Sequence, residues 1–196
     1  NRFELIIHAA GQPSHDWSGK YPLIDFEINA HGTVILLEAM RVYNPESVFI
    51  FTSSSKVYGD TLNYFDFVET DLRYDLKKSH TYYRGIDESL SLDGSIHSPY
   101  GVGKAGADLM VQEFGRYYGL KTMVFRPNCM TGPAHAGAKL HGFLSYLVKC
   151  IIHGKKYIIN GYKGKQVRDN IHAHDLINAF YEAFLNPQRG KTFNIG

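Results

Sequence analysis

Tyr100-Gly101-Val102-Gly103-Lys104 puts a phenol and an ammonium four residues apart at the start of a helical pattern, a spacing suited to proton abstraction. Residues four apart share a helix face, so the Lys104 ammonium is expected beneath the Tyr100 phenol. A cation there favours phenolate and lowers a tyrosine pKa from its reference of about 10. That gives a proton acceptor usable near neutral pH, which oxidation of an alcohol to a ketone requires. Ser98 suits the helix cap and Pro99 the first helical position, while Ala105, Leu109, Val111 and Phe114 supply an apolar face. Tyr74/Lys78 and Tyr117/Lys121 share the spacing. Gly119 punctuates the latter pair, which is expected to lie across a helix end. The former falls in a charged, aperiodic stretch, Thr70 to Lys78, that reads as loop. Spacing alone leaves a catalytic pair and a structural helix pair both open at Tyr100/Lys104.

The elements that must position such a pair alternate along the chain. Phe3 to Ala9 reads as a short buried strand, and Pro22 to Val42 as a helix (Ile24, Ile28, Val34, Leu37, Ala39) interrupted near Gly32. Ser47 to Ser53 and Lys121 to Arg126 read as two more strands. This alternation predicts an α/β fold of parallel strands joined by right-handed helical crossovers, with ligands at the carboxyl ends of the strands. His8 to Gln12, Thr52 to Lys56 and Pro127 to Thr131 then fall on the ligand-facing edge. Thr61 to His97 reads as a lid, an interaction surface or a packed excursion. Further on, His141 to His153 reads as a helix, Lys156 to Asn160 as a short strand, Gly161 to Lys165 as a turn, and His174 to Phe184 as a helix.

With 44% hydrophobic and 20% charged residues over a length of 196, the composition is that of one packed globular domain. A net charge of +2 without a basic stripe argues against a nucleic-acid partner. No apolar run approaches the ~20 residues that span a bilayer, so no membrane association is expected. Cys129 and Cys150 lack metal-ligand spacing; no metal site is expected, and a reducing compartment fits.

Several strings, in order, resemble the extended short-chain dehydrogenase/reductase family of nucleotide-sugar epimerases and dehydratases. Ile7-His8-Ala9-Ala10-Gly11 resembles its strand end along the dinucleotide, and Asn29-Ala30-His31-Gly32-Thr33 with Leu36-Leu37-Glu38-Ala39 its following helix. Ser53-Ser54-Ser55-Lys56-Val57-Tyr58-Gly59-Asp60 resembles its Ser/Thr-rich catalytic strand end, and Gly164 to His172 its nucleotide-diphosphate segment. Within the family, Glu69-Thr70, Arg73-Tyr74, Asp87-Glu88-Ser89 and Ser98-Pro99-Tyr100-Gly101 follow the order of the CDP-tyvelose (CDP-paratose) 2-epimerases. Cys129 and Thr131 stand where members often carry Asn and Tyr.

The resemblance implies a Rossmann-like, doubly wound sheet, NAD as cofactor, a nucleotide-diphospho-sugar substrate, a homodimer or higher homo-oligomer, and a cytoplasmic setting. Residues 1–127 would be the remaining part of the NAD-binding domain, and 128–196 a mixture of substrate-domain segment and returning Rossmann elements. It implies Ser54, Tyr100 and Lys104 as catalytic residues, passing through a transient keto-sugar. Ala9, Ala10, Gly11, Asn29, Ser53, Tyr100, Lys104 and Pro127 would meet the cofactor, and Gln12, Ser54, Asn128, Lys139, Leu140 and Arg168 the substrate. Strand-end capping is the alternative for Ser54, helix capping for Asn29, and an ion pair with Asp169 for Arg168. The family's 4,6-dehydratases place Asp and Glu directly after their Thr; Ser55 and Lys56 here supply neither carboxylate, which favours epimerase. A UDP-sugar 4-epimerase or another dehydratase or reductase of the family is the first alternative, and a truncated or non-catalytic nucleotide-binding relative the second. Nothing before Phe3 supplies the glycine-rich turn that opens a dinucleotide-binding sheet, so the chain reads as an internal fragment.

Overall fold

The computed structural model describes residues 2–139 and 142–196. Strand β1, Leu5–His8, leads into the short helix α1, His15–Lys20, and then α2, Pro22–Phe26. A π turn, Glu27–His31, joins α2 directly to α3, Gly32–Tyr43. The interruption read near Gly32 is therefore a widened turn on the five residues before it, not a break. β2, Val48–Thr52, is buried along its whole length, as a run of Val, Phe and Ile at the centre of a parallel sheet must be. The excursion that follows holds an antiparallel hairpin of β3, Phe67–Glu69, and β4, Tyr74–Leu76.

Helix α4, Pro99–Tyr118, begins where the cap and proline indicate: Ser98 Oγ accepts from Gly101 N at 3.1 Å. It ends at Gly119, whose φ of 73° is the left-handed turn that glycine adopts without strain. Then come β5, Lys121–Pro127; β6, Cys129–Thr131; α5, Phe143–Ile152; β7, Asn170–His172; α6, Ala173–Leu185; and β8, Lys191–Ile195.

The main sheet has the order β1-β2-β5-β8, every pair parallel, with Ile7 opposite Ile50 and Ile50 opposite Met123. Phe49, Phe51 and Val124 face α3 and α4 through Leu37, Met40, Ala107, Val111 and Phe114. The alternate residues Val48, Ile50, Met123 and Phe125 face α6 through Leu176 and Phe180. Helices thus cover both faces, the Rossmann-like arrangement anticipated. Burying each such side chain contributes about 1.5 to 3 kcal/mol.

The crossovers are not all of one hand. The sheet advances in a single direction, yet α6 lies on the face opposite α3 and α4, so the crossover into β8 has the opposite hand to the two before it. The uniform right-handed rule overlooks the small two-stranded sheet of β6 and β7, which carries the chain around before α6 begins.

Two local readings are corrected. Tyr74 to Leu76 is a strand rather than loop: Thr70 N donates to Arg73 O at 2.9 Å, closing a tight turn that aligns the hairpin. Lys156 to Asn160 is not a strand, and Ile158 and Ile159 are exposed with no strand paired to them among the described residues. His141, read as the start of a helix, lies outside the described residues; the helix runs from Phe143.

The long excursion is a packed one. Val57, Tyr58 and Leu90 form their own core with Leu62, Phe65, Tyr82, Ile86 and Leu92 around it. Its hairpin docks on the Gly161 to Lys165 turn, where Tyr74 N donates to Lys165 O at 3.1 Å. Lys163 and Lys165 both reach Glu69, at 2.7 and 3.0 Å, and hold its carboxyl down at about 2.

Candidate active site

Lys104 is 6% exposed. Its ammonium donates to Thr52 O at 3.0 Å and lies 4.8 Å from the centre of the Phe51 ring. Burial pushes its pKa down to about 8, against the opposing charges of Asp108 and Asp25. Tyr100, one turn before, is also buried, and burial raises its pKa; a hydrogen bond from the Ser54 hydroxyl pulls the other way, and Asp25 adds to the rise. The expectation that Lys104 depresses the Tyr100 pKa is corrected. One ammonium proton goes to the β2 carbonyl, and desolvation of the phenol dominates its pKa.

Ser54 follows β2 in extended conformation, and its hydroxyl oxygen accepts from Lys56 N at 3.2 Å. It is both the strand-end cap and a neighbour of Tyr100. His15, on α1, stands edge-on to Tyr100 with ring centres 4.7 Å apart, and its Nδ1 lies 3.0 Å from Ser98 Oγ. Nothing in the sequence singled it out among ten histidines.

The end of β1 forms a ledge beside this pair. Ala9, Ala10 and Gly11 are exposed and small. A Cβ on Gly11 would lie 2.7 Å from Asn29 Oδ1 and 3.4 Å from Lys104 Nζ, so the backbone passes where no side chain fits. Asn29 is neither a helix cap nor turned outward. Its Oδ1 accepts from Gln12 N at 3.0 Å, while Nδ2 donates to Gln12 O at 3.1 Å and to Asp25 Oδ1 at 3.2 Å. It pins the ledge from beneath. Gln12 likewise spends both amide protons internally, on Ser14 O and Asp25 Oδ1, while its backbone N and O are held by Asn29. His8 stacks on Phe51, and burial followed by the charge of Lys104 lowers its pKa.

Ser53 turns inward. Its hydroxyl donates to Asp108 Oδ2 at 2.6 Å, within a polar cluster that the sequence reading missed. Arg126 makes a two-pronged pair with Asp108, 2.9 Å on each arm, and donates to Tyr58 OH at 2.7 Å. Gln112 Nε2 donates to Asp108 Oδ1 at 2.6 Å, and Tyr58 OH to Asn194 Oδ1 at 2.8 Å. An arginine directly after the apolar run Met123 to Phe125 was the available signal, because a buried guanidinium demands a carboxylate.

The second wall comes from the small sheet. Cys129 N donates to Asp169 O at 3.1 Å, which brings Arg168 beside the end of β5. Burial raises the Cys129 thiol pKa against the pull of Arg168 and Lys56, so the three are neighbours. Asn128 Oδ1 accepts from Ser55 Oγ at 3.2 Å, joining this wall to the Ser54 loop. Arg168 is exposed, and among the described residues it forms no ion pair. Pro127 closes β5, buried; Lys139 is exposed; Leu140 lies outside the described residues. Among the described residues no cluster of metal-ligating side chains occurs, and no helix is long and apolar enough to cross a membrane.

The family described as NAD dependent epimerase/dehydratase matches residues 1–196. The chain is 39% identical to the CDP-paratose 2-epimerase of Salmonella typhi, over 98% of its own length and 57% of that protein's. It is 33% identical to a dTDP-glucose 4,6-dehydratase of Escherichia coli, over 98% and 51%. Among solved structures, the UDP-glucose 4-epimerase of Thermotoga maritima with UDP-glucose superposes with a TM-score of 0.77 at 27% identity, covering 98% of this chain and 55% of that one. The dTDP-glucose 4,6-dehydratase of Bacillus anthracis in complex with NAD gives 0.72 at 26%, covering 98% and 51%. The chain spans about half the length of the curated relatives it matches.

Proposed function

The chain belongs to the NAD dependent epimerase/dehydratase family, and from that premise we propose that the protein is an NAD-dependent epimerase of a nucleotide-diphospho-sugar, acting as a CDP-paratose 2-epimerase does. The observation that carries the reading is the Ser54/Tyr100/Lys104 set, its tyrosine and lysine buried, with no carboxylate at the two positions after Ser54. Dehydration needs an acid for the leaving hydroxyl and a base for the neighbouring C–H. Ser55 and Lys56 stand in those places, and the nearby Asp60 is turned away, accepting from Ile96 N and Tyr64 OH.

The residues present fit a dinucleotide: Gly11 leaves a backbone surface that any side chain would fill, over the buried Lys104 ammonium. Ala9, Ala10 and Gly11 would line it, with Lys104 beneath and Pro127 at the neighbouring strand end. When bound, NAD supplies the acceptor and donor of a hydride, and its cationic ring favours phenolate nearby. Tyr100 takes the proton from a sugar hydroxyl and later returns it. Ser54 holds the reacting oxygen by hydrogen bond, and Lys104 supplies a positive charge behind the phenolate. Oxidation and reduction at one carbon cancel, so the substrate needs no external reductant. Turnover in deuterated water with product analysis by NMR tests this. The epimerised carbon should carry no solvent deuterium, and no NADH should be consumed; efficient wash-in at that carbon would indicate deprotonation beside an existing ketone instead. The same spectrum identifies the inverted centre and so separates 2- from 4-epimerase.

Arg168 is assigned to the diphosphate, for which a planar two-point fork is the fitting donor. Arg168→Lys keeps the charge and loses the fork. The expected outcome is a KM raised about tenfold or more, with nucleoside diphosphate inhibition weakened in parallel. Turnover of bound substrate should change less, because the clamp grips ground and transition states alike. Unchanged diphosphate inhibition would return Arg168 to a surface role.

A further inference from the structure

Asp25, on α2, has no exposed surface. One carboxylate oxygen, Oδ1, accepts from Gln12 Nε2 at 2.6 Å and from Asn29 Nδ2 at 3.2 Å. The other, Oδ2, is buried and has no hydrogen-bond partner among the described residues. Buried acids are rare unless paired, and an orphaned oxygen on one calls for a reason. The orphan faces α4 at Gly103, where a Cβ would stand 3.3 Å from it and 3.3 Å from Asn29 Cβ. Positions 100, 103 and 104 share one face of α4. The missing side chain at 103 is what admits a carboxylate between the turns that carry Tyr100 and Lys104.

We propose that Asp25 is a positioning residue, which fixes Gln12 and Asn29 at the end of β1 and, through the gap at Gly103, sets a negative charge behind the Tyr100/Lys104 pair. The π turn contributes to this, since Asp25 and Asn29 flank or occupy it and meet through their own hydrogen bond. On Lys104 the charge opposes the desolvation that would strip its proton, and on Tyr100 it resists ionisation. The charge thereby adds to what already keeps the pair protonated, Asp108 at Lys104 and burial at Tyr100. Other charged or titratable groups face the pair: His15 from α1, His97 packed beside Gly101, His8 from β1, and Asp108 from the next turn of α4. Asp108 is already bound to Arg126, Ser53 and Gln112, so Asp25 is the carboxylate whose charge is not spent on a cation.

The kinetic arm of the test rests on Tyr100 being the base; the spectroscopic arm does not. Phenolate absorbance is titrated in the full-length protein without substrate, and Tyr100 is isolated by subtracting the titration of Tyr100→Phe. Asp25→Asn, nearly isosteric, should lower the Tyr100 midpoint. The acid limb of kcat should move down with it, while KM changes little. An unmoved midpoint in folded Asp25→Asn overturns the proposal. So does an equal midpoint shift in Asn29→Ala, which loosens the ledge but keeps the charge. Should Asp25→Asn fail to fold, Asp25→Ser, smaller and also uncharged, is held to the same midpoint comparison. A shifted midpoint with an unmoved kinetic limb supports the placement of the charge and counts against Tyr100 as the base.

Discussion

Tyr100→Phe in the full-length protein is expected to lower kcat by about 10² to 10⁴, with the fold and NAD binding nearly unchanged. The ring stays, so its edge contact with His15 and its buried place on α4 survive. What disappears is the oxygen that Ser54 reaches and that carries the proton. Thermal melting, NAD affinity and kcat measured together give the check; wild-type kcat in this variant would end the mechanism. The pH dependence follows from the same two groups. Phenolate is needed, so activity rises as Tyr100 ionises, and ammonium is needed, so it falls as Lys104 loses its proton near pH 8 in the unliganded protein. Folding lowers the Lys104 pKa, so its burial costs stability at neutral pH. That cost fades as pH rises from about 8 toward the ordinary 10.5. An alkaline loss of activity in that window is therefore not loss of fold through Lys104.

Asp108→Ala should be the most damaging single change outside the reacting set, destabilising the fold by about 3 to 5 kcal/mol. Asp108 is fully buried and Arg126 nearly so, and the change strands the guanidinium without a counter-charge. Ser53 and Gln112 lose their acceptor at the same stroke. Urea unfolding gives the magnitude. The apolar double change Asp108→Leu with Arg126→Met removes both charges and should recover much of the loss. If the double variant is no better than the single one, the damage comes from lost packing and not from an unpaired buried charge.

The elements were legible because they rest on local rules. Ser98, Pro99 and Gly119 bracket α4 by capping chemistry, and Val48 to Phe51 is apolar without alternation because both its faces are covered. The hairpin at Tyr74 was hidden because its stability comes from a turn-closing backbone bond and from docking on Lys163 and Lys165, far away in sequence. The hand of the last crossover was hidden for a like reason. It depends on the β6/β7 pairing, which no periodicity reports.

In the site, residue types and spacing determined that Tyr100 and Lys104 share a helix face and that Ser54 ends a strand. The order of the motifs determined the family. Tertiary structure decided the electrostatics. Whether a phenol ionises readily depends on how far it is desolvated, and burial raises the pKa of Tyr100. Whether an amide serves a ligand depends on what has already claimed it, and Asn29 and Gln12 are claimed by each other and by Asp25. Asp25 and Asp108 look like ordinary helix acids in the sequence. Only burial, which raises the strength of every nearby charge as water is excluded, makes them the groups that set the state of the pair.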